Sequence, residues 1–104
     1  MANYVFAYSG GNGVAADEAV RNAQLAKWGQ WFEQLGSAVV DGGAPTGTAK
    51  TVGAGGSVSD GGSRGLTGYS VVSAESLDAA VELAKGCPVL ETGGAVDVYE
   101  AIAM

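Results

Sequence analysis

Gln24 is the residue of this chain that most needs a chemical explanation. Projecting residues 17–36 at about 100° per residue gathers Val20, Gln24, Trp28, Trp31, Phe32 and Leu35 onto one side of a helix, with Arg21 inside the same arc. A helix that covers a sheet should be apolar there. A buried amide without partners costs roughly 1–3 kcal/mol, so Gln24 must meet a polar partner, a water or a cavity. Either it is an amide satisfied within the core or it lines a cleft, and the second alternative makes it a pointer to a site. Arg21 sits near the start of that helix, where its charge opposes the helix dipole. A carboxylate such as Asp41, a bound anion or solvent would each satisfy it. Trp28 and Trp31 serve either as core or as a flat platform for a ligand.

The chain offers little other chemistry. It has no histidine, so neither a Ser-His-Asp nor a Cys-His arrangement can form, and acid–base work falls to a perturbed carboxylate or a tyrosine. Without histidine, zinc, copper and non-haem iron sites lose their commonest ligand. No metal and no cofactor is expected. The single cysteine, Cys87, excludes an internal disulfide, and with Lys85 as its one basic neighbour it reads as a buried, inert thiol.

The elements that must position these residues follow from local pattern. Residues 3–9 alternate Tyr4, Phe6 and Tyr8 with Val5 and Ala7, a strand apolar on both faces. Gly10-Gly11-Asn12-Gly13 ends it, and the helix starts near Asp17 and stops at Gly36. That glycine run lies between a strand and a helix, but it matches neither phosphate-binding fingerprint. Val39-Val40 begins a second strand leading into Asp41-Gly42-Gly43, where Asp41 has a ready role as a turn former. From Gly42 to Gly68 there are ten glycines in 27 positions, interrupted by strand-capable pieces at 48–52 and 57–59. This segment reads as a hairpin and loops, with Asp60, Ser63 and Arg64 in a polar loop. A further strand covers residues 68–73. Ser76 caps a second helix over 77–85 with an inward stripe of Leu77, Ala80, Val81 and Ala84, and a last strand spans 95–102.

The order is β-α-β-β-α-β with one added hairpin, which predicts an α+β fold: a ferredoxin-like antiparallel sheet with both helices on one face. With 104 residues, 47% of them hydrophobic, the chain is expected to form a single domain over residues 1–104. Eleven acidic residues against five basic ones give a net charge of −6. No basic stripe tracks phosphates, so nucleic acid and anionic membranes are poor partners. No apolar run approaches the ~20 residues that cross a bilayer, and the opening MANYVFAYSGG lacks the parts of a signal peptide. A cytoplasmic protein is expected.

Two helices cover one face of such a sheet and leave the other open. Because the first strand is apolar on both sides, the open face would carry an apolar patch that monomers seldom tolerate. A homodimer with sheets face to face is therefore expected, unless the glycine-rich segment folds over that face.

Several strings resemble the YCII-related family, including its DGPF-type branch: Gly68-Tyr69-Ser70-Val71-Val72, Ser76-Leu77-Asp78-Ala79-Ala80, Lys85-Gly86-Cys87-Pro88 and Val96-Asp97-Val98-Tyr99-Glu100. Ser59-Asp60-Gly61-Gly62 stands where the DGPF signature would be, without its Pro and Phe. The resemblance spans essentially the whole chain and implies a dimeric α/β-barrel-like assembly of ferredoxin-like protomers with a cleft beside the sheet. Some members carry Arg-x-x-His on the first helix and an Asp near the second strand, proposed as a catalytic pair. Here the string is Arg21-Asn22-Ala23-Gln24, so Gln24 takes the histidine position and Asp41 is the candidate acid. Glutamine donates and accepts hydrogen bonds but cannot shuttle a proton near neutral pH. The resemblance thus implies binding or orientation of a ligand, with proton transfer left to Asp41 or Tyr69.

The leading expectation is a YCII-like protein that binds a small organic molecule beside the first helix through Arg21, Gln24, Trp28 and Tyr69. Two alternatives stand beside it. One is a cofactor-free lyase or isomerase with Asp41 as catalytic base, and the other a non-catalytic dimerisation or regulatory module.

Overall fold

The computed structural model describes residues 1–11, 16–62 and 65–102. Asn12 and Gly13 of the first glycine run, and Ser63 and Arg64 of the polar loop, lie outside the described residues. Strand β1 (Ala2–Ser9) leads to helix α1 (Glu18–Leu35), a 3-10 turn (Gly36–Ala38) and strand β2 (Val39–Pro45). Strands β3 (Lys50–Val52) and β4 (Val58–Asp60) form a hairpin, and β5 (Leu66–Ala74), α2 (Leu77–Ala84), a second 3-10 turn (Pro88–Thr92) and β6 (Ala95–Glu100) complete the order. The fold is α+β.

Four strands form one antiparallel sheet in the order β2-β5-β1-β6, and β3 and β4 pair only with each other. Period-two alternation sends Tyr4, Phe6 and Tyr8 of β1, and Ser70, Val72 and Ala74 of β5, toward the helices, and all six are buried. Trp31 of α1 and Ala80 and Ala84 of α2 join the same core. Both helices therefore cover one face. Trp31 is the hub of that layer: its ring stacks on Phe6 at 6.1 Å and meets Trp28 and Phe32 at 5.7 and 5.1 Å. Its indole nitrogen also donates to the Leu83 carbonyl at 3.2 Å, which ties α1 to α2.

The helix ends obey their capping residues. Asp17 accepts from the Val20 amide at 3.0 Å, Gly36 closes α1 at φ +57°, and the Ser76 hydroxyl accepts from the Ala79 amide at 3.1 Å. The inward stripe of α2 differs from the expected one. Ala80 and Ala84 are buried, but Leu77 and Val81 are 47% and 37% exposed, and Ala79 and Leu83 take the inner places. The Trp31 to Leu83 hydrogen bond holds α2 rolled toward α1, and the displaced Leu77 and Val81 border a shallow groove beside edge strand β6. Strand β6 also ends at Glu100, two residues before Ile102, which is exposed.

The opposite face carries Val5 paired with Val71 and Tyr99, and Ala7 paired with Tyr69 and Asp97. Val5, Ala7 and Val71 are only half-buried, and Tyr99 is 58% exposed. The β3–β4 hairpin does not shield this face, since residues 42–50 and 52–62 are exposed throughout. With the hairpin standing clear, the molecule measures 42 × 42 × 20 Å and its radius of gyration is 14.8 Å. A compact chain of this length would have about 13 Å.

Candidate functional site

A cavity of about 590 Å³ opens between the first half of α1 and the ends of β2 and β5. Its origin is local. The aromatic side chains that press α1 onto the sheet, Trp28, Trp31 and Phe32, belong to the second half of the helix. The first half lies opposite Gly42, Gly43 and Gly68, which carry no side chains to fill the gap. One wall is Val20, Arg21, Gln24, Lys27 and Trp28 of α1; another is Tyr8, Gly68 and Ser70 of the sheet; Pro88, Val89 and Thr92 of the second 3-10 turn close an end.

Strand β2 is irregular where it borders the cavity, with register shifts on both sides of Asp41. Gly43 holds φ +72°, and a Cβ there would collide with the Tyr69 carbonyl, so this position admits glycine alone. Asp41 builds the bend by accepting from the Gly43 amide at 2.8 Å, the contact expected of an Asx turn.

The bend sets the Gly42 carbonyl over Ser70. Ser70, with no exposed surface, donates to that carbonyl at 2.7 Å, and the Tyr8 phenol donates to the Ser70 hydroxyl at 2.8 Å. The donor order is fixed by chemistry. A carbonyl only accepts, so the single hydroxyl hydrogen of Ser70 is committed to Gly42, and the Tyr8–Ser70 contact must use the phenol hydrogen. Burial raises the phenol's pKa well above the usual tyrosine range, against a smaller opposing effect of the Ser70 bond. Tyr8 therefore stays neutral, with its edge against Trp28 at 4.9 Å. At the rim, Lys27 and Glu91 form an exposed ion pair at 3.0 Å.

Of the five residues singled out from sequence, Arg21, Gln24, Trp28 and Tyr69 line the cavity. Gln24 is half-buried on the α1 wall, and Arg21 reaches back to the Ala16 carbonyl at 3.4 Å. Tyr69 alternates toward the other face of β5 and borders the cavity beside Gly43. Asp41 is exposed, is not among the lining residues, and its carboxylate is engaged with Gly43. Sequence reasoning missed the Tyr8–Ser70–Gly42 chain. Its signal was a hydroxyl inside an otherwise apolar inward row, Ser70 between Gly68 and Val72. Cys87 lies elsewhere in the core, 2% exposed, and burial pushes its thiol up to about 11.

Comparison with known proteins returns no family model, no curated protein and no solved structure that matches the chain. The site is read from its own geometry. Among the described residues, no helix is long and apolar enough to cross a membrane.

Proposed function

We propose that this protein binds a small organic molecule in the cavity beneath α1. The observation that carries the reading is the combination of volume and lining. About 590 Å³ falls inside the 300–1,000 Å³ range of small-molecule sites, and an apolar, aromatic wall with a few placed polar groups is their usual composition. Trp28, Phe32 and Val89 supply the apolar surface, and Arg21, Gln24 and the Tyr8–Ser70 pair supply direction. Binding is favoured over acid–base catalysis because the carboxylate assigned as base, Asp41, is outside the lining.

The wider reading is a ferredoxin-like, YCII-related protomer acting as a cytoplasmic homodimer. The antiparallel order β2-β5-β1-β6 supports the ferredoxin-like topology. The unshielded Val5, Val71 and Tyr99 face supports the dimer. The single cysteine, which leaves no internal disulfide, supports a reducing compartment.

The test is a fragment screen on 15N-labelled protein. Hits should move the Trp28 indole, the Gln24 side-chain amide and the backbone amides of Gly42, Gly68 and Ser70, and Ala23→Trp at the α1 wall should abolish the shifts. Failure of every fragment to move this group would remove the proposal.

A further inference from the structure

We infer that the sheet-side wall of the cavity selects ligands that donate a hydrogen bond, such as an aromatic alcohol, amine or N–H heterocycle, over ligands of similar shape that only accept one. The inference rests on the binding reading above and names the chemistry of what is bound. Its basis is an inventory of hydrogens. Tyr8 gives its phenol hydrogen to Ser70, and Ser70 gives its own to the Gly42 carbonyl. Thr67 and Tyr69 of the lining alternate toward the other face of β5 and stand outside this count, and two further hydroxyls are committed in the same way, Thr46 to the Leu66 carbonyl at 2.8 Å and Thr92 to the Val89 carbonyl at 3.1 Å.

Each of these oxygens keeps lone pairs and has no hydrogen left to offer. Glu91, where it meets the lining, adds another acceptor. A ligand hydroxyl or N–H that reaches this wall completes the chain ligand to Tyr8 to Ser70 to Gly42. An ether, ketone or carboxylate placed there sets lone pair against lone pair after both have left water. The α1 wall opposite brings Trp28 to the lining, and the ring of such a ligand would lie against it.

The experiment titrates 15N-labelled protein with phenol, anisole and toluene, reading the Gly42, Ser70 and Trp28 indole resonances, in the natural sequence and in Tyr8→Phe and Ser70→Ala. Phenol is expected to bind about tenfold more tightly than anisole, the scale of one unmade hydrogen bond. The gap should close in Tyr8→Phe, which has no phenol oxygen. It should close also in Ser70→Ala, where the released Tyr8 hydrogen can serve the anisole oxygen, a change that mere loss of volume would not produce. Anisole matching phenol in the natural sequence, or the preference surviving both substitutions, overturns donor selection while leaving a binding cavity. If none of the three compounds moves these resonances, the binding reading falls and the inference with it.

Discussion

Ser70 and Cys87 are both buried to within a few per cent of exposure, yet they respond differently to removal and to pH because one links two hydrogen bonds in series and the other is a thiol whose ionisation burial opposes more than its Val89 backbone contact favours it. Ser70→Ala strips the Gly42 carbonyl of its donor and the Tyr8 phenol of its acceptor, and should cost about 1–3 kcal/mol. Tyr8→Phe leaves only a serine lone pair unmatched and should cost less. Because the two share one chain, the double substitution should cost less than the two single losses together, measured from urea midpoints. Cys87 carries the pH dependence between pH 9 and 10, below the point where the buried Tyr8 phenol adds its own. Its thiol titrates near 9 when exposed and at about 11 in the fold, so between those values the unfolded chain loses a proton that the native chain keeps. Stability is undiminished below pH 9 and falls as pH rises toward 11, by on the order of 2 kcal/mol. Cys87→Ala should flatten the slope between pH 9 and 10. A slope unchanged in that variant would reject the assignment.

Helix α1 shows which parts of the architecture are legible in a linear sequence. Its limits, the Asp17 and Gly36 caps, and the Gln24 stripe follow from 3.6-residue periodicity and capping chemistry, and the site residues on that stripe followed with them. The roll of α2 did not. With Ala80 and Ala84 flanked by Leu77 and Val81 on one side and Ala79 and Leu83 on the other, periodicity allows both stripes. The choice is made by Trp31, 52 positions from Leu83, through a long-range hydrogen bond. Asp41 illustrates the same limit, since position beside two glycines gave it both a structural and a catalytic reading, and only the bend shows its carboxylate on the Gly43 amide. At this scale the first turn of α1 is the weak part of the cavity roof, because the aromatic anchors lie in the second half. Asp17→Ala should lower stability by ~1 kcal/mol and speed amide exchange over residues 18–24 more than over residues 28–35. Uniform acceleration along the helix would show that the roof opens as one unit.

The whole molecule presents two features that a monomer leaves unused, a half-covered sheet face and a hairpin that stands away from the core. They make different predictions about assembly. Val5, Val71 and Tyr99 form a contiguous cross-strand row, and burying such a row against a second copy gains roughly 25 cal/mol for each Å² of apolar surface removed from water. The hairpin offers less, a single exposed Val52–Val58 pair beside Lys50 and Asp60, whose ion pair at 2.6 Å is largely exposed. Exposed pairs of that kind contribute little. If the sheet face is the interface, the natural chain should sediment at twice its 10.3 kDa mass. Val71→Arg, which sets a cation at the β5 end of the row, should return it to the monomer with its fold intact by circular dichroism. Replacing residues 48–64 with a two-residue turn should leave the dimer in place, because the Thr46 and Thr67 backbone pairing that joins β2 to β5 lies outside the excised stretch. The opposite pattern, a dimer lost with the hairpin and kept in Val71→Arg, would move the interface to the arm and leave the apolar row unexplained.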